Sequence, residues 1–304
     1  MDKSNLAKRM KENYENRHKN YLTRRIPVIV RLDGRAFHTF TKGMDKSPVD
    51  ERLMKCFLYA MTKTADGVQG CKLTYYQSDE ISFLLTDYDD LKTDAWFGYN
   101  QSKIETVLAS TFTAHFYYAF DALFTEDKWE DRVPTFDARA FNIPESEISN
   151  YFLWRSLDCY RNMIDLAARS QFSHKKLQKK NTNEKREMVY DKWVNLGGGV
   201  RNGYFYIPKV SDLVYIEDEK PCYETVNQIV EESLNPPTPG EINFELTYGD
   251  PSMEYADNQD VVLCPCTIIN GEPADEWMSN PDNSLDDIRT MDFPAEEVIS
   301  GTFQ

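Results

Sequence analysis

The chain has 304 residues, 41% of them hydrophobic and 13% aromatic, which is enough to bury a sizeable core and excludes a wholly disordered polymer. Its net charge of −15 argues against a nucleic-acid partner only until the charge is mapped, because residues 1–210 hold 33 Lys/Arg against 28 Asp/Glu while residues 211–304 hold 2 against 22. A mildly basic body (+5) is therefore followed by a strongly acidic tail (−20), and the body remains able to meet a phosphate backbone.

In chain order, residues 2–20 read as a charged helix with Leu6, Met10 and Tyr14 on one stripe. Ile26 to Leu32 is an apolar, β-branched run, entered through Pro27 and closed by the turn pair Asp33-Gly34, and it predicts a strand. Ser47-Pro48 resembles an N-cap followed by a first-turn proline, opening a helix to about Ala65 with Leu53, Phe57, Ala60 and Met61 at helical spacing. Lys72 to Tyr76 and Ile81 to Leu85 predict a hairpin joined by Gln77-Ser78-Asp79-Glu80. Residues 101–123 predict a helix aligned on Ile104, Leu108, Phe112 and Phe116, and Phe136 to Ile143 a strand. Ser149-Asn150 opens a helix to about Arg169, a basic helix follows over residues 173–194, Gly197-Gly198-Gly199 breaks the chain, and Gly203 to Val210 predicts a strand.

Beyond residue 211 the texture is acidic, with a linker at Asn235-Pro236-Pro237-Thr238-Pro239-Gly240 and few periodic segments. There is no apolar run of about 18 residues to predict a membrane span, and Met1 to Met10 lack the apolar stretch of a secretion signal. Of six cysteines only Cys264 and Cys266 are close, with no second pair beside them, so reduced thiols in a cytoplasmic protein are expected and a zinc site is not.

The order strand, helix, hairpin, helix, strand predicts an α+β fold with a ferredoxin-like core, the palm of many polymerases, over residues 20–145. A helical and strand extension completes a catalytic domain over residues 1–210. The acidic C-terminal region, 211–304, is left without a role; an extra domain, an oligomer contact and a mimic of nucleic-acid charge all suit it.

Two acidic turns carry the chemistry. Asp33 follows one apolar strand and Asp79 sits between two others, so both carboxylates are fixed by sheet backbone. If the strands are neighbours, the two side chains can share divalent cations for phosphoryl transfer. Magnesium suits two carboxylates plus phosphate oxygens, with the Gly34 carbonyl as a further ligand. Read alone, Asp33-Gly34 is also an ordinary turn and Ser78-Asp79-Glu80 an ordinary polar hairpin tip.

Four sequence blocks narrow this. Arg31-Leu32-Asp33-Gly34-Arg35-Ala36-Phe37-His38, with Phe40, resembles the opening block of the tRNA-histidine guanylyltransferase family. Tyr76-Gln77-Ser78-Asp79-Glu80-Ile81-Ser82-Phe83 resembles its second block, Phe136-Asp137-Ala138-Arg139 its third, and Tyr151 to Arg155 with Asp158, Cys159 and Asn162 its fourth, all in family order. The resemblance, over roughly residues 20–210, implies nucleotide addition to the 5′ end of tRNA, preferably GMP from GTP, in the 3′-to-5′ direction. In that reaction ATP or GTP activates the 5′ phosphate, the 3′-hydroxyl of an incoming GTP attacks, and pyrophosphate leaves. It implies two Mg2+ ions on Asp33, the Gly34 carbonyl and Asp79, with Glu80 helping directly or through water. It implies nucleotide contacts from Asp33, Gly34, Arg35, Ala36, Phe37, His38, Ser78 and Asp79, a triphosphate-facing Lys46, and a homotetramer. Cys159 is followed by Tyr160-Arg161-Asn162-Met163 where the eukaryotic family has a histidine and then I-N-N. That departure points to the tRNA-repair relatives, which add nucleotides against a template.

The basic stretch over residues 169–186 suits a phosphate-backbone track. Expected RNA contacts are Arg139, Arg155, Asn162, Lys175, Lys176 and Lys179, with Phe172 and His174 placed to stack on a base; a solvated helix face is the plainer reading. Two other functions use the same residues: a palm-type nucleotidyl cyclase or other small-nucleotide enzyme, and an RNA-binding palm without chemistry.

Overall fold

The computed structural model describes residues 3–44, 50–129, 131–193, 201–217 and 220–235, and two short strands at Ile268–Ile269 and Glu272–Pro273. The chain divides into two compact units, Met1–Pro236 and Pro237–Gln304.

The first unit is built on one antiparallel sheet. Its strands are β1 (Val28–Gly34), β2 (Cys71–Gln77), β3 (Glu80–Leu85), β4 (Phe136–Asn142), β5 (Arg201–Ile207) and β6 (Asp212–Glu217), in the order β4-β1-β3-β2-β5-β6. The first four, in order 4-1-3-2 with a helix after β1 and another after β3, form the ferredoxin-like core expected from the sequence.

Helices α1 (Lys3–Asn13) and α2 (Phe37–Phe40) flank β1 in sequence, and α3 (Glu51–Asp66) and α4 (Gln101–Leu123) cover one face of the sheet. In α3, Leu53, Phe57, Ala60, Met61 and Thr64 recur every three or four residues and are all buried. In α4, Ile104, Leu108, Phe112, Phe116 and Phe120 do the same. Phe57 meets Phe116 at 4.7 Å between ring centroids, and Phe136 of β4 meets Phe112 at 4.8 Å. This aromatic layer holds the α3/α4 pair on the strands; truncating one such ring to alanine costs about 3–5 kcal/mol.

The other face is packed by α5 (Ile148–Gln171) and α8 (Tyr223–Leu234). Ile29, Leu73, Tyr75 and Leu84 of the sheet join Ile148, Phe152, Val226, Ile229 and Val230 in a second core. The smaller helices α6 (His174–Leu177) and α7 (Thr182–Trp193) lie against the C-terminal end of α5 through Ala167, Ala168, Leu177 and Val189. Strands β7 (Ile268–Ile269) and β8 (Glu272–Pro273) pair with each other in the second unit.

Several expectations change. The compact unit runs past residue 210, where charge alone suggested a boundary, because β6 pairs with β5 and α8 packs into the second core. The N-terminal helix ends at Asn13 and gives way to a 3-10 turn over Glu15–His18. Helix α3 is capped by Asp50, whose side chain accepts from the Arg52 amide at 3.1 Å; Ser47, Pro48 and Lys46 lie outside the described residues, as does Gly197-Gly198-Gly199. The basic helix is two helices, interrupted where Lys179 takes φ +64°. Among the described residues no helix is long and apolar enough to cross a membrane, and Cys56, Cys71, Cys159 and Cys222 are free thiols.

Candidate active site

Antiparallel register decides what meets at the end of β1. Alternate residues share a face, so Asp33, Arg31 and Ile29 point toward the α5 side. Asp33 lies directly opposite Glu80 on β3 and opposite Asp137 on β4. Directly opposed residues have Cβ atoms roughly 5 Å apart, so three carboxylates form a row across the sheet. One step along, Arg31 lies opposite Arg139 and Ser82, giving a second row that carries positive charge.

Asp79 reaches Asp33 from the hairpin tip. Ser78-Asp79 is a two-residue turn, and Ser78 has φ +53°, a left-handed conformation that costs a non-glycine residue about 1–2 kcal/mol. The other acidic turn holds a second such residue, Ala36, with φ +54°. The two turns are joined by the Gly34 amide, which donates to the Asp79 carbonyl oxygen at 2.9 Å, while the Arg35 amide donates to Thr135. Asp79 is half-buried, and burial first, then the negative charge of Asp33, pushes its carboxyl above the usual aspartate range.

That repulsion is what a divalent cation removes, and the donor set fits magnesium: two carboxylates and a carbonyl, all oxygen. Among the described residues no three or more His, Cys, Asp or Glu side chains converge on one point, so phosphate oxygens and water would complete the coordination.

Glu80 is held in place by arginines. Arg155 of α5 donates from Nε to Glu80 Oε1 at 2.6 Å and from Nη2 to Asp158 at 2.9 Å, and Arg31 Nε lies 3.8 Å from Glu80 Oε2. Burial pushes the Glu80 carboxyl up, against the pull of both arginines. Arg155 also lies over the Trp154 ring at 4.4 Å.

The predicted nucleotide contacts divide by exposure. Arg35, Ala36, His38 and Ser78 are exposed, and Ser78 donates its hydroxyl to Asp79 at 3.2 Å. Phe37 is buried, 4.8 Å from Phe40 and 5.0 Å from Phe136 between ring centroids, so only its backbone is open to a nucleotide. Gly34 is required there: a Cβ would stand 2.3 Å from the Phe37 ring. Among the described residues the amides of Ala36, Phe37 and His38 have no backbone acceptor, which leaves three donors at the mouth of the site.

Of the predicted RNA contacts, Arg139, Asn162, Lys175, Lys176 and Lys179 are exposed. Arg155 is not. It is 6% exposed and bound to Glu80 and Asp158, so it supports the site from beneath. Arg31, Asp137 and Asp158 stand within the quoted blocks, but motif reading gave them no role at the site. The period-2 pattern of a strand places Arg31 beside Asp33, but the pairing with β4 that delivers Asp137 needs the sheet order.

Known proteins resemble this chain in sequence and in fold. The family model described as Thg1, tRNAHis guanylyltransferase, matches residues 7–144. A tRNA(His) guanylyltransferase of Debaryomyces hansenii is 32% identical over 148 residues, covering 48% of this chain and 54% of that protein; the chain spans about half the length of the curated relatives it matches. Two solved structures extend the likeness. A bacterial tRNA(His) guanylyltransferase (Thg1)-like protein in complex with ATP has 37% identity and a TM-score of 0.64 over 75% of this chain and 98% of that one. A bacterial Thg1-like protein in complex with GTP has 33% identity and a TM-score of 0.59 over 76% and 99%. With the sheet order, the paired acidic turns and this coverage taken together, the chain belongs to the tRNA(His) guanylyltransferase (Thg1) family.

Proposed function

We propose that this chain is a magnesium-dependent nucleotidyltransferase that adds a nucleotide, preferably GMP from GTP, to the 5′ end of a tRNA or tRNA-like RNA in the 3′-to-5′ direction. The observation that carries this reading is the Gly34–Asp79 backbone bond, which brings Asp79 close enough to Asp33 for their charges to interact. The ATP- and GTP-bound relatives support nucleotide substrates, and the family description supports tRNA.

The 5′ phosphate of the RNA is first activated: its oxygen attacks the α-phosphorus of ATP or GTP, and pyrophosphate leaves. The 3′-hydroxyl of the incoming GTP then attacks the activated 5′ phosphorus, the activating nucleoside monophosphate leaves, and hydrolysis of the new 5′ triphosphate releases pyrophosphate, so that a GMP unit remains. Two magnesium ions held by Asp33, Asp79 and the Gly34 carbonyl would stabilise the charge that develops on the reacting oxygens.

The chain's own residues orient the reactants. The backbone amides of Ala36, Phe37 and His38 and the hydroxyl of Ser78 take the triphosphate, with Arg35 beside them. Lys46 serves the same phosphates. Phe37 anchors this loop in the aromatic core, which keeps the amides fixed. Glu80, clamped by Arg155, orients water at the metal site. Four free thiols suit a reducing, cytoplasmic compartment, and family resemblance supports a homotetramer.

The test uses GTP labelled at its α-phosphate, with ATP, magnesium and a 5′-monophosphorylated tRNA. Label recovered at the RNA 5′ end is the expected result. Magnesium-dependent turnover of GTP with no label on any RNA would replace this reading with a small-nucleotide enzyme such as a cyclase.

A further inference from the structure

Helix α4 carries almost no charge. From Thr106 to Phe120, fifteen residues in a row, it holds no Asp, Glu, Lys or Arg. Its inner face is accounted for: Ile104, Leu108, Phe112, Phe116 and Phe120 are buried against α3 and the sheet. Its outer face is not. A helix face that meets water ordinarily carries charged residues, and a helix without them is one covered on both sides.

The outer residues form a seam. Lys103, Thr106, Ser110, Ala114, Tyr117 and Asp121 recur at steps of three or four, and all six are exposed. The hydroxyl groups among them are already satisfied. Thr106 donates to the Ser102 carbonyl at 2.7 Å and Ser110 to the Val107 carbonyl at 3.0 Å, so covering these side chains leaves neither hydroxyl unpaired. Tyr117 and its neighbour Tyr118 are 42% and 47% exposed, large rings of a kind enriched at protein interfaces. Tyr118 lies 6.2 Å from Tyr59 of α3 between ring centroids, which widens the surface to both helices.

Charge says what fits. The seam is positive at its start, Lys103, and negative at its end, Asp121, and neither has an ion-pair partner among the described residues. A second α4, laid antiparallel about a two-fold axis midway between Ser110 and Ala114, sets Lys103 opposite Asp121 at both ends. It also sets Ser110 opposite Ala114, and Tyr118 opposite the smaller Thr106. The face is complementary to itself in sign and in size. RNA does not suit it, because a phosphate backbone needs cations and the stretch from Thr106 to Phe120 has no Lys or Arg.

We propose that α4 is an isologous dimer contact, with the α4 of a second copy of this chain packed antiparallel on the seam. The surface lies on the α3/α4 side of the sheet, whereas Asp33 points toward the α5 side. The assignment goes beyond the catalytic reading and does not rest on it. It supplies one contact for the homotetramer that family resemblance implies.

The test is the mass of the full chain in solution, measured by sedimentation after ribonuclease treatment. The wild type is expected to sediment as a dimer or a tetramer. Ser110→Arg brings two cations together near the two-fold axis. The position is exposed, so the fold is kept, and a melting curve checks this. The variant is expected to halve the mass and to raise the dissociation constant about tenfold or more, the effect of opposed like charges. Lys103→Asp and Asp121→Lys each oppose like charges at the ends of the seam and are expected to weaken association several-fold. Both suit the helix dipole, so neither weakens α4 itself. The double exchange is expected to restore association, a recovery that a purely structural role would not show. A monomeric wild type, or Ser110→Arg at the wild-type mass, would overturn the proposal. Single exchanges without effect, or a double exchange that does not recover them, would also overturn it, by removing the antiparallel pairing on which it stands.

Discussion

The amide of Gly34 donates to the carbonyl oxygen of Asp79 at 2.9 Å, and this bond ties the turn after β1 to the tip of the β2–β3 hairpin. Asp33 and Asp79 are far apart in sequence, yet main chain, not a flexible side chain, sets their approach. Two left-handed residues, Ala36 and Ser78, lie within the same two turns, so local strain collects where the carboxylates are presented.

Gly34→Ala tests the geometry of the first turn. The new methyl would stand 2.3 Å from the Phe37 ring, which is itself packed by Phe40, Phe57 and Phe136. Overpacking of this kind costs about 1–3 kcal/mol. A melting temperature several degrees below wild type is expected, with lower transferase activity. An unchanged melting temperature would mean that the Phe37 ring moves freely, contrary to its buried position.

Removing Asp79's charge should stabilise the protein when no metal is present. Asp79 is half-buried beside Asp33, and burial first, then the charge of Asp33, disfavours its ionisation. Asp79→Asn is expected to gain on the order of 1 kcal/mol in chelator, typical of relieving a strained functional site. Magnesium should then raise the melting temperature of the wild type and not that of the variant. Equal magnesium shifts in both proteins would place the cation elsewhere.

The Glu80–Arg155 pair is separable by a double-mutant cycle. The two side chains are 11% and 8% exposed and meet at 2.6 Å. Arg155→Met leaves a buried carboxylate without its main partner, a change that costs about 3–5 kcal/mol, and adding Glu80→Gln should recover part of that loss. Denaturant unfolding of the four proteins gives the coupling. Strict additivity would show that Arg155 does not hold Glu80 in place.

His115, on α4 away from the site, supplies a pH prediction. Burial, then the positive charge of Lys63, lowers its pKa below the usual histidine value. A depressed pKa means that the folded state holds the ring neutral while the unfolded state protonates it more readily. The stability linked to His115 is thus complete above the ordinary histidine pKa and is lost as pH falls through the folded value. His115→Gln should narrow the difference in melting temperature between about pH 7.5 and about pH 5.5. The same difference in both proteins would remove His115 as a source of that pH dependence.

The sequence reveals those parts of the fold whose burial repeats locally. Strands β1 to β4 and helices α3 to α5 each carry an apolar period within a single window, so their order is readable, and the palm with it. Strand β6 and helix α8 have such periods too, with Val226, Ile229, Val230 and Ser233 on one face, but the acidic average of the tail conceals them. The break between α6 and α7 is written in a polar cap. Asn181 accepts from the Glu184 amide at 3.0 Å and Glu184 accepts from the Asn181 amide at 2.9 Å, a reciprocal pair that a run of lysines obscures. Asp33 and Asp79 are legible as acids at strand ends. The burial of Arg155 is not, because its partner Glu80 lies on another element and no local pattern distinguishes a buried arginine from an RNA-facing one.

The most direct test of the central claim is magnesium-dependent transfer of label from α-labelled GTP to the 5′ end of tRNA, compared among the wild type, Asp33→Ala and Asp79→Ala after each is shown to be folded. The account predicts that both substitutions lower the rate by about 100-fold or more, the scale set by losing stabilisation of developing charge, and abolish its response to magnesium. Label reaching the RNA at the wild-type rate in Asp79→Ala would contradict it.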